Sequence, residues 1–215
     1  MLFFIDSADL KEIKEASELG VLDGVTTNPS LIAKSGQSHW DLIPKICEIC
    51  PGPVSCEVLS TDFNGMMKEA EKIAKLAKNT VVKIPMTKEG LQAVVKCTKQ
   101  GIKTNVTLCF NSLQALLAAK AGATYISPFI GRLDDIGQEG MQCIREIRDI
   151  FDNYDFETQI LAASIRNPIH LRDAALAGAD VATLPYSILN GLIHHPLSKE
   201  GLEKFLRDAE KIPKI

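Results

Sequence analysis

A chain of 215 residues, 46% of them hydrophobic, can fill one large core, and α/β barrels commonly occupy this length. Its 24 basic and 27 acidic residues leave a net charge of -3, and no basic stripe interleaved with aromatics appears, so nucleic acid is not an expected partner. The apolar opening at 1–5 is stopped by Asp6 and is too short for a signal peptide or a membrane span.

Residues 3–6 read as the first strand. Leu10, Ile13 and Ala16 then recur at helical spacing, with Gly20 as the stop. A second strand at 24–28 runs into Asn28-Pro29, an N-cap with proline at the first helical position. Helical pieces at 30–34 and 39–50 are split at Ser35-Gly36, and Pro51-Gly52-Pro53 turns the chain into a third strand at 54–59. A helix over 62–78 leads to strand four, Val81-Val82-Lys83-Ile84-Pro85-Met86. Leu91, Val94 and Val95 mark the next helix, which ends at Gly101 before strand five at 103–108. Asn111 caps a helix that Gly122 stops, and strand six follows at 124–129. One longer helix, with Met141, Ile144, Ile147 and Phe151 inward, precedes strand seven at 158–164. Asn167-Pro168 repeats the Asn-Pro helix start, strand eight lies at 180–184, and helical stretches at 187–194 and 198–211 end the chain, the second opened by Ser198.

One join recurs almost literally: Ala119-Lys120-Ala121-Gly122-Ala123 matches Ala175-Leu176-Ala177-Gly178-Ala179, each closing a helix and aiming the chain into a strand. Strict βα alternation implies a parallel sheet. Eight uninterrupted units favour a single-domain (β/α)8 TIM barrel over 1–215, with 198–211 as an additional C-terminal helix; an open doubly wound sheet is the alternative. The glycine-rich first turn of a dinucleotide site is absent, since Asp6-Ser7-Ala8-Asp9 follows strand one.

Lys83 interrupts an apolar strand. A charged ammonium buried there costs several kcal/mol unless it is paired, hydrated or neutral. It is either an edge-strand lysine that snorkels to water or a residue kept for chemistry. In a barrel, reactive groups gather where strands end and βα loops begin. Asp6, Asn28, Glu57, Lys83, Asn105 with Thr107, Ser127, Ser164 and Thr183 all fall near such ends. Any one of them also fits a turn or cap, Asn28 before Pro29 most of all. Asp6, Glu57 and Lys83 converging in one mouth would partly neutralise one another. Such a set suits carbonyl chemistry: a neutral amine attacks a ketone, the iminium draws electrons from the adjacent C–C bond, and a carboxylate moves protons. Arg132 follows strand six, and Arg166 follows strand seven beside a helix start. Both suit phosphate, with a rim salt bridge of Arg132 to Asp134 or Asp135 as the competing account.

Only Cys47-Glu48-Ile49-Cys50 has metal or redox spacing, and no second pair or His-rich segment completes a zinc site. Cysteines stand at 47, 50, 56, 97, 109 and 143; Cys47 and Cys50 read as small hydrophobes on a helix face. Several free thiols without a signal peptide suggest a reducing cytoplasm. The histidines at 39, 170, 194 and 195 read as surface or packing residues.

These residues together resemble the small transaldolases, a branch of the class I aldolases that also contains fructose-6-phosphate aldolase. The most specific pieces are Gly24-Val25-Thr26-Thr27-Asn28-Pro29-Ser30, Val82-Lys83-Ile84-Pro85, Thr104-Asn105-Val106-Thr107-Leu108, Ser127-Pro128-Phe129-Ile130-Gly131-Arg132 and Ala163-Ser164-Ile165-Arg166. The resemblance implies that Lys83 forms a Schiff base with a ketose donor. It implies that Asp6 handles the donor hydroxyl proton and that Glu57 and Thr107 hold a catalytic water. Asn28, Asn105 and Ser127 would contact the donor, and Arg132, Ser164 and Arg166 its phosphate. The family uses no cofactor and moves a dihydroxyacetone unit from fructose 6-phosphate or sedoheptulose 7-phosphate to an aldose phosphate in the pentose phosphate pathway. The aldolase branch is similar but carries Gln at the position of Glu57 and Tyr at that of Phe129, so this chain has the transaldolase residue at both. The alternatives are an aldolase that releases dihydroxyacetone and a phosphosugar-binding barrel without covalent chemistry. Small members form pentamers and decamers. In this chain Leu202, Phe205, Leu206 and Ala209, on one face of the terminal helix, are the candidate contact with a neighbour or, equally, with its own barrel.

Overall fold

A computed structural model describes residues 1–213; the expected domain end at 215 lies outside the described residues. Eight parallel strands close into a barrel, each paired to the next and the eighth to the first. They are β1 (Leu2–Asp6), β2 (Gly24–Thr26), β3 (Val54–Glu57), β4 (Thr80–Pro85), β5 (Thr104–Cys109), β6 (Tyr125–Pro128), β7 (Gln159–Ala162) and β8 (Val181–Leu184). The helices between and after them are α1 (Leu10–Glu18), α2 (Pro29–Ser35), α3 (His39–Ile49), α4 (Phe63–Ile73), α5 (Lys88–Lys99), α6 (Ser112–Lys120), α7 (Ile130–Asp135), α8 (Gly140–Asn153), α9 (Pro168–Leu176), α10 (Tyr186–Gly191) and α11 (Pro196–Ala209). The (β/α)8 expectation holds, and the doubly wound alternative falls with the β1–β8 pairing.

Strand alternation divides the apolar residues into two cores. Outward-facing Ile5, Val25, Val54, Val82, Ile84, Val106, Ile126 and Ile160 pack under the helices. Inward-facing Phe4, Val81, Tyr125, Leu161, Ala163 and Val181 fill the barrel itself. Phe4 and Tyr125 meet edge to face with ring centroids 6.1 Å apart. Gly24 makes room for this plug, because a Cβ on it would stand 2.5 Å from the Phe4 ring. The barrel is thus packed solid below Lys83, and anything that Lys83 meets must come from the mouth.

The caps follow the sequence signals. Asn28 and Asn167 accept from the N–H groups of Leu31 and His170, with Pro29 and Pro168 at the first helical positions. Gly122 and Gly178 in the repeated join have φ of 86° and 80°, a left-handed turn that opposes any side chain.

Three expectations are corrected. The helix after strand six is two pieces, α7 and α8, parted at Gly137 with φ 75°. The helix expected over 62–78 ends at Ile73, after which residues 74–79 are turns. The last helix opens at Pro196 with His195 as cap, not at Ser198. Its apolar stripe does not pack on its own barrel: Leu202 and Leu206 are exposed, and Phe205 is 70% exposed. Among the described residues, no helix is long and apolar enough to cross a membrane, and no cluster of side chains could hold a metal.

Candidate active site

Lys83 stands in the centre of β4 with its side chain in the barrel mouth, only 4% exposed. Register places Glu57 of β3 on one side of it and Asn105 of β5 on the other. The Lys83 ammonium donates to the Thr27 carbonyl at 3.0 Å and pairs with Glu57 Oε2 at 3.1 Å. The strand is therefore not an edge, and the snorkelling account of Lys83 fails. What makes its burial tolerable is the carboxylate beside it, whose own side chain is 13% exposed.

Asp6, two residues beyond Phe4 on the same face, enters the mouth from β1. Its Oδ1 accepts from Thr26 Oγ1 at 2.8 Å, and that hydroxyl lies 2.6 Å from Thr183 Oγ1. Burial pushes the Asp6 carboxyl above the ordinary carboxylate range, against the opposing pull of the Lys83 charge and the Thr26 hydrogen bond. A carboxyl raised in this way is suited to take and return a proton.

Across the mouth, Ser127 Oγ donates to Asn105 Oδ1 at 2.7 Å, and Asn105 Nδ2 donates to Ser55 Oγ at 3.1 Å. This chain fixes the orientation of the Asn105 amide. Thr107 lies two residues further along β5 on the same face; its buried Oγ1 has no hydrogen-bond partner among the described residues.

The basic side of the mouth comes from the ends of β6 and β7. Phe129, expected inside strand six, lies just past it and bridges to Ala163. Arg132 stacks over the Phe129 ring with its guanidinium carbon 4.9 Å from the centroid. Ser164 is held at φ 60°, a strained conformation for a residue with a Cβ and one that collects at functional sites. Its hydroxyl lies 3.5 Å from Arg166 Nε. The rim salt bridge considered for Arg132 forms on Arg166 instead, whose Nη2 meets Asp135 Oδ2 at 2.7 Å.

One cavity of about 180 Å³ is lined by Asp6, Asn28, Lys83, Ser127, Phe129, Arg132, Ser164 and Arg166, together with Thr26, Ala163 and Thr183. Glu57, Asn105 and Thr107 touch or flank that set from the neighbouring strands. Glu57 also lines a second cavity, of about 220 Å³, with His39 and Cys56. Asn28 serves both readings, since its Oδ1 caps α2 while the residue lines the first cavity. Thr26, two residues before Asn28, falls on the same inner face by alternation and enters the site through its bond to Asp6. Asp135 is expected beside Arg132 and pairs with Arg166 instead, and the Thr27 carbonyl has no signal in the sequence pattern.

None of the histidines or cysteines among the described residues lines the mouth cavity. His39 is buried and its ring lies edge to face with Trp40. His170 contacts Asp134 at 3.2 Å. His194 and His195 are exposed. Cys50 is fully buried, and burial pushes Cys47 up to about 12, as expected of small hydrophobes rather than reactive thiols.

A closed parallel barrel with a carboxylate-paired lysine in its mouth and two arginines on one side of the same cavity defines a (β/α)8 protein with its candidate site at the C-terminal ends of the strands. Residues 3–214 match the model of the family described as Transaldolase/Fructose-6-phosphate aldolase. Proteins named "Probable transaldolase" from Geobacter metallireducens and Geotalea uraniireducens are each 60% identical over 214 residues, and one of that name from Citrifermentans bemidjiense is 61% identical; the matches cover the whole of each chain. The chain belongs to the transaldolase/fructose-6-phosphate aldolase family.

Proposed function

We propose that the protein is a transaldolase that carries a dihydroxyacetone unit on Lys83 between sugar phosphates. The observation that carries the reading is buried Lys83, paired with Glu57 and lining one cavity with Asp6 and two arginines. In this account Arg132, Ser164 and Arg166 hold the phosphate of fructose 6-phosphate or sedoheptulose 7-phosphate. Asn28, Asn105 and Ser127 orient the donor hydroxyls. The Lys83 amine adds to the C2 carbonyl, and the carbinolamine loses water to give the iminium.

Asp6 then takes the proton of the C4 hydroxyl. The C3–C4 bond breaks, its electron pair flows into the iminium to give an enamine, and an aldose phosphate leaves. Attack of the enamine on the aldehyde of erythrose 4-phosphate or glyceraldehyde 3-phosphate reverses these steps, with Asp6 returning the proton. Water held by Glu57 and Thr107 finally hydrolyses the new iminium; the unpartnered Thr107 hydroxyl supports this placement. The packed barrel floor closes Lys83 off from below, so water reaches it only through the mouth. Such an enzyme belongs to the non-oxidative pentose phosphate pathway in the cytoplasm and works without a cofactor. The exposed face of α11 would seat a neighbouring copy in a pentamer or decamer.

Incubation with fructose 6-phosphate and erythrose 4-phosphate tests the transfer. The account expects sedoheptulose 7-phosphate and glyceraldehyde 3-phosphate as the dominant products. Dominant release of free dihydroxyacetone would make the protein an aldolase instead.

A further inference from the structure

Arg166 is held in two separate ways. Its stem and backbone are fixed by the scaffold. A Cβ on Gly131, in the first turn of α7, would stand 2.8 Å from its Cγ and Nε, so the two chains are packed together there. Its N–H donates to His170 Nδ1 at 3.4 Å, and His170 is in turn anchored to Asp134. Its guanidinium head, by contrast, is taken by Asp135 at the end of α7, with both side chains about half exposed. Asp135 is not among the residues that line the mouth cavity, so it draws the head toward the rim. Arg132 has no carboxylate within 4 Å among the described residues, and its partner is the neutral Phe129 ring. The two arginines offered to an incoming anion therefore differ: one is uncommitted, the other already carries an internal anion.

We propose that Asp135 is a specificity-determining residue, an internal carboxylate that occupies Arg166 until a phosphate monoester displaces it. The inference rests on the reading of Arg166 as a phosphate-binding group. A phosphate dianion presents more charge and three acceptor oxygens to a guanidinium, whereas a carboxylate presents two oxygens and one charge. A neutral hydroxyl cannot compete for the head at all. Asp135 thus weakens the binding of every anion at Arg166 and leaves a phosphorylated sugar as the ligand able to open the pair.

The test measures calorimetric affinity for inorganic phosphate, and KM and kcat with fructose 6-phosphate, in the parent protein, Asp135→Asn, Arg166→Gln and the double variant. Asparagine at this exposed position preserves the shape of the side chain. Asp135→Asn is expected to tighten phosphate and lower KM by about two- to fivefold, the scale of an exposed ion pair, with kcat unchanged. The gain is expected to vanish in the Arg166→Gln background. Unchanged or weaker phosphate binding in Asp135→Asn overturns the inference. An equal gain in the double variant also overturns it, because a general field effect would then be responsible. If Arg166→Gln alone leaves phosphate affinity unchanged, the phosphate reading of Arg166 fails first and takes the inference with it.

Discussion

Replacing Glu57 by leucine removes the carboxylate 3.1 Å from Lys83 Nζ and leaves the ammonium with the Thr27 carbonyl at 3.0 Å. Both side chains are largely out of water, so the change strands a charge instead of trimming a surface pair. Breaking a buried pair from one side costs about 3–5 kcal/mol. The partial exposure of Glu57 places Glu57→Leu toward the lower end, about 3 kcal/mol. Glutamine retains an acceptor oxygen in the same place, which limits its cost to the loss of a charged hydrogen-bond partner, about 1–2 kcal/mol. Urea unfolding followed by circular dichroism reads both as shifts in midpoint at constant slope. If leucine proved no worse than glutamine, or if both lay within about 0.5 kcal/mol of the parent, the ion pair would not be what stabilises Lys83 in its strand. The same Glu57→Gln protein carries a functional arm. On the proposed transaldolase reading, which rests here on the resemblance at this position, loss of the carboxylate is expected to move the product ratio toward free dihydroxyacetone. An unchanged ratio removes Glu57 from the choice between transfer and release.

Asp6→Asn separates function from stability. The raised Asp6 carboxyl means that the folded state binds a proton more readily than the unfolded chain, so stability declines as pH rises from the unfolded value through the folded one. Asn removes that burden, and the variant is expected to melt higher than the parent at neutral pH and equally below the unfolded carboxyl range, while turnover falls by about 10²–10⁴; a lower melting point at neutral pH contradicts it. Gly24→Ala is expected to cost about 1–3 kcal/mol in urea, because its Cβ would enter the Phe4 ring; a neutral result means that the plug yields. On the proposed seating of a neighbouring copy against α11, Leu202→Ser with Phe205→Ser is expected to lower the mass found in sedimentation while leaving the melting of the barrel nearly unchanged, since neither side chain is buried in the chain itself. An unaltered mass removes this face from the assembly contact.

The barrel and most of its mouth were legible because alternation with period two and helix punctuation are local signals. Val81-Val82-Lys83-Ile84-Pro85 announces both a buried strand and an odd charge within it, and the face of each polar strand-end residue follows by counting from it. The misplaced features depend on tertiary packing. α7 has six residues and Phe129 at its N-cap makes no side-chain capping bond, so nothing in the sequence punctuates it. Its presence in turn swings Asp135 toward Arg166, whereas proximity along the chain favoured Arg132. The stripe on α11 looks the same in sequence whether it packs on its own barrel or faces outward. Period alone cannot say which surface covers it, and the structure leaves it exposed.

Everything in the functional account passes through one covalent bond. Borohydride reduction in the presence of fructose 6-phosphate, followed by peptide mass spectrometry, interrogates that bond directly. The account predicts a reduced sugar adduct on Lys83, and none on the Lys83→Met protein. Loss of activity without an adduct on Lys83, or an adduct on another lysine, would contradict it.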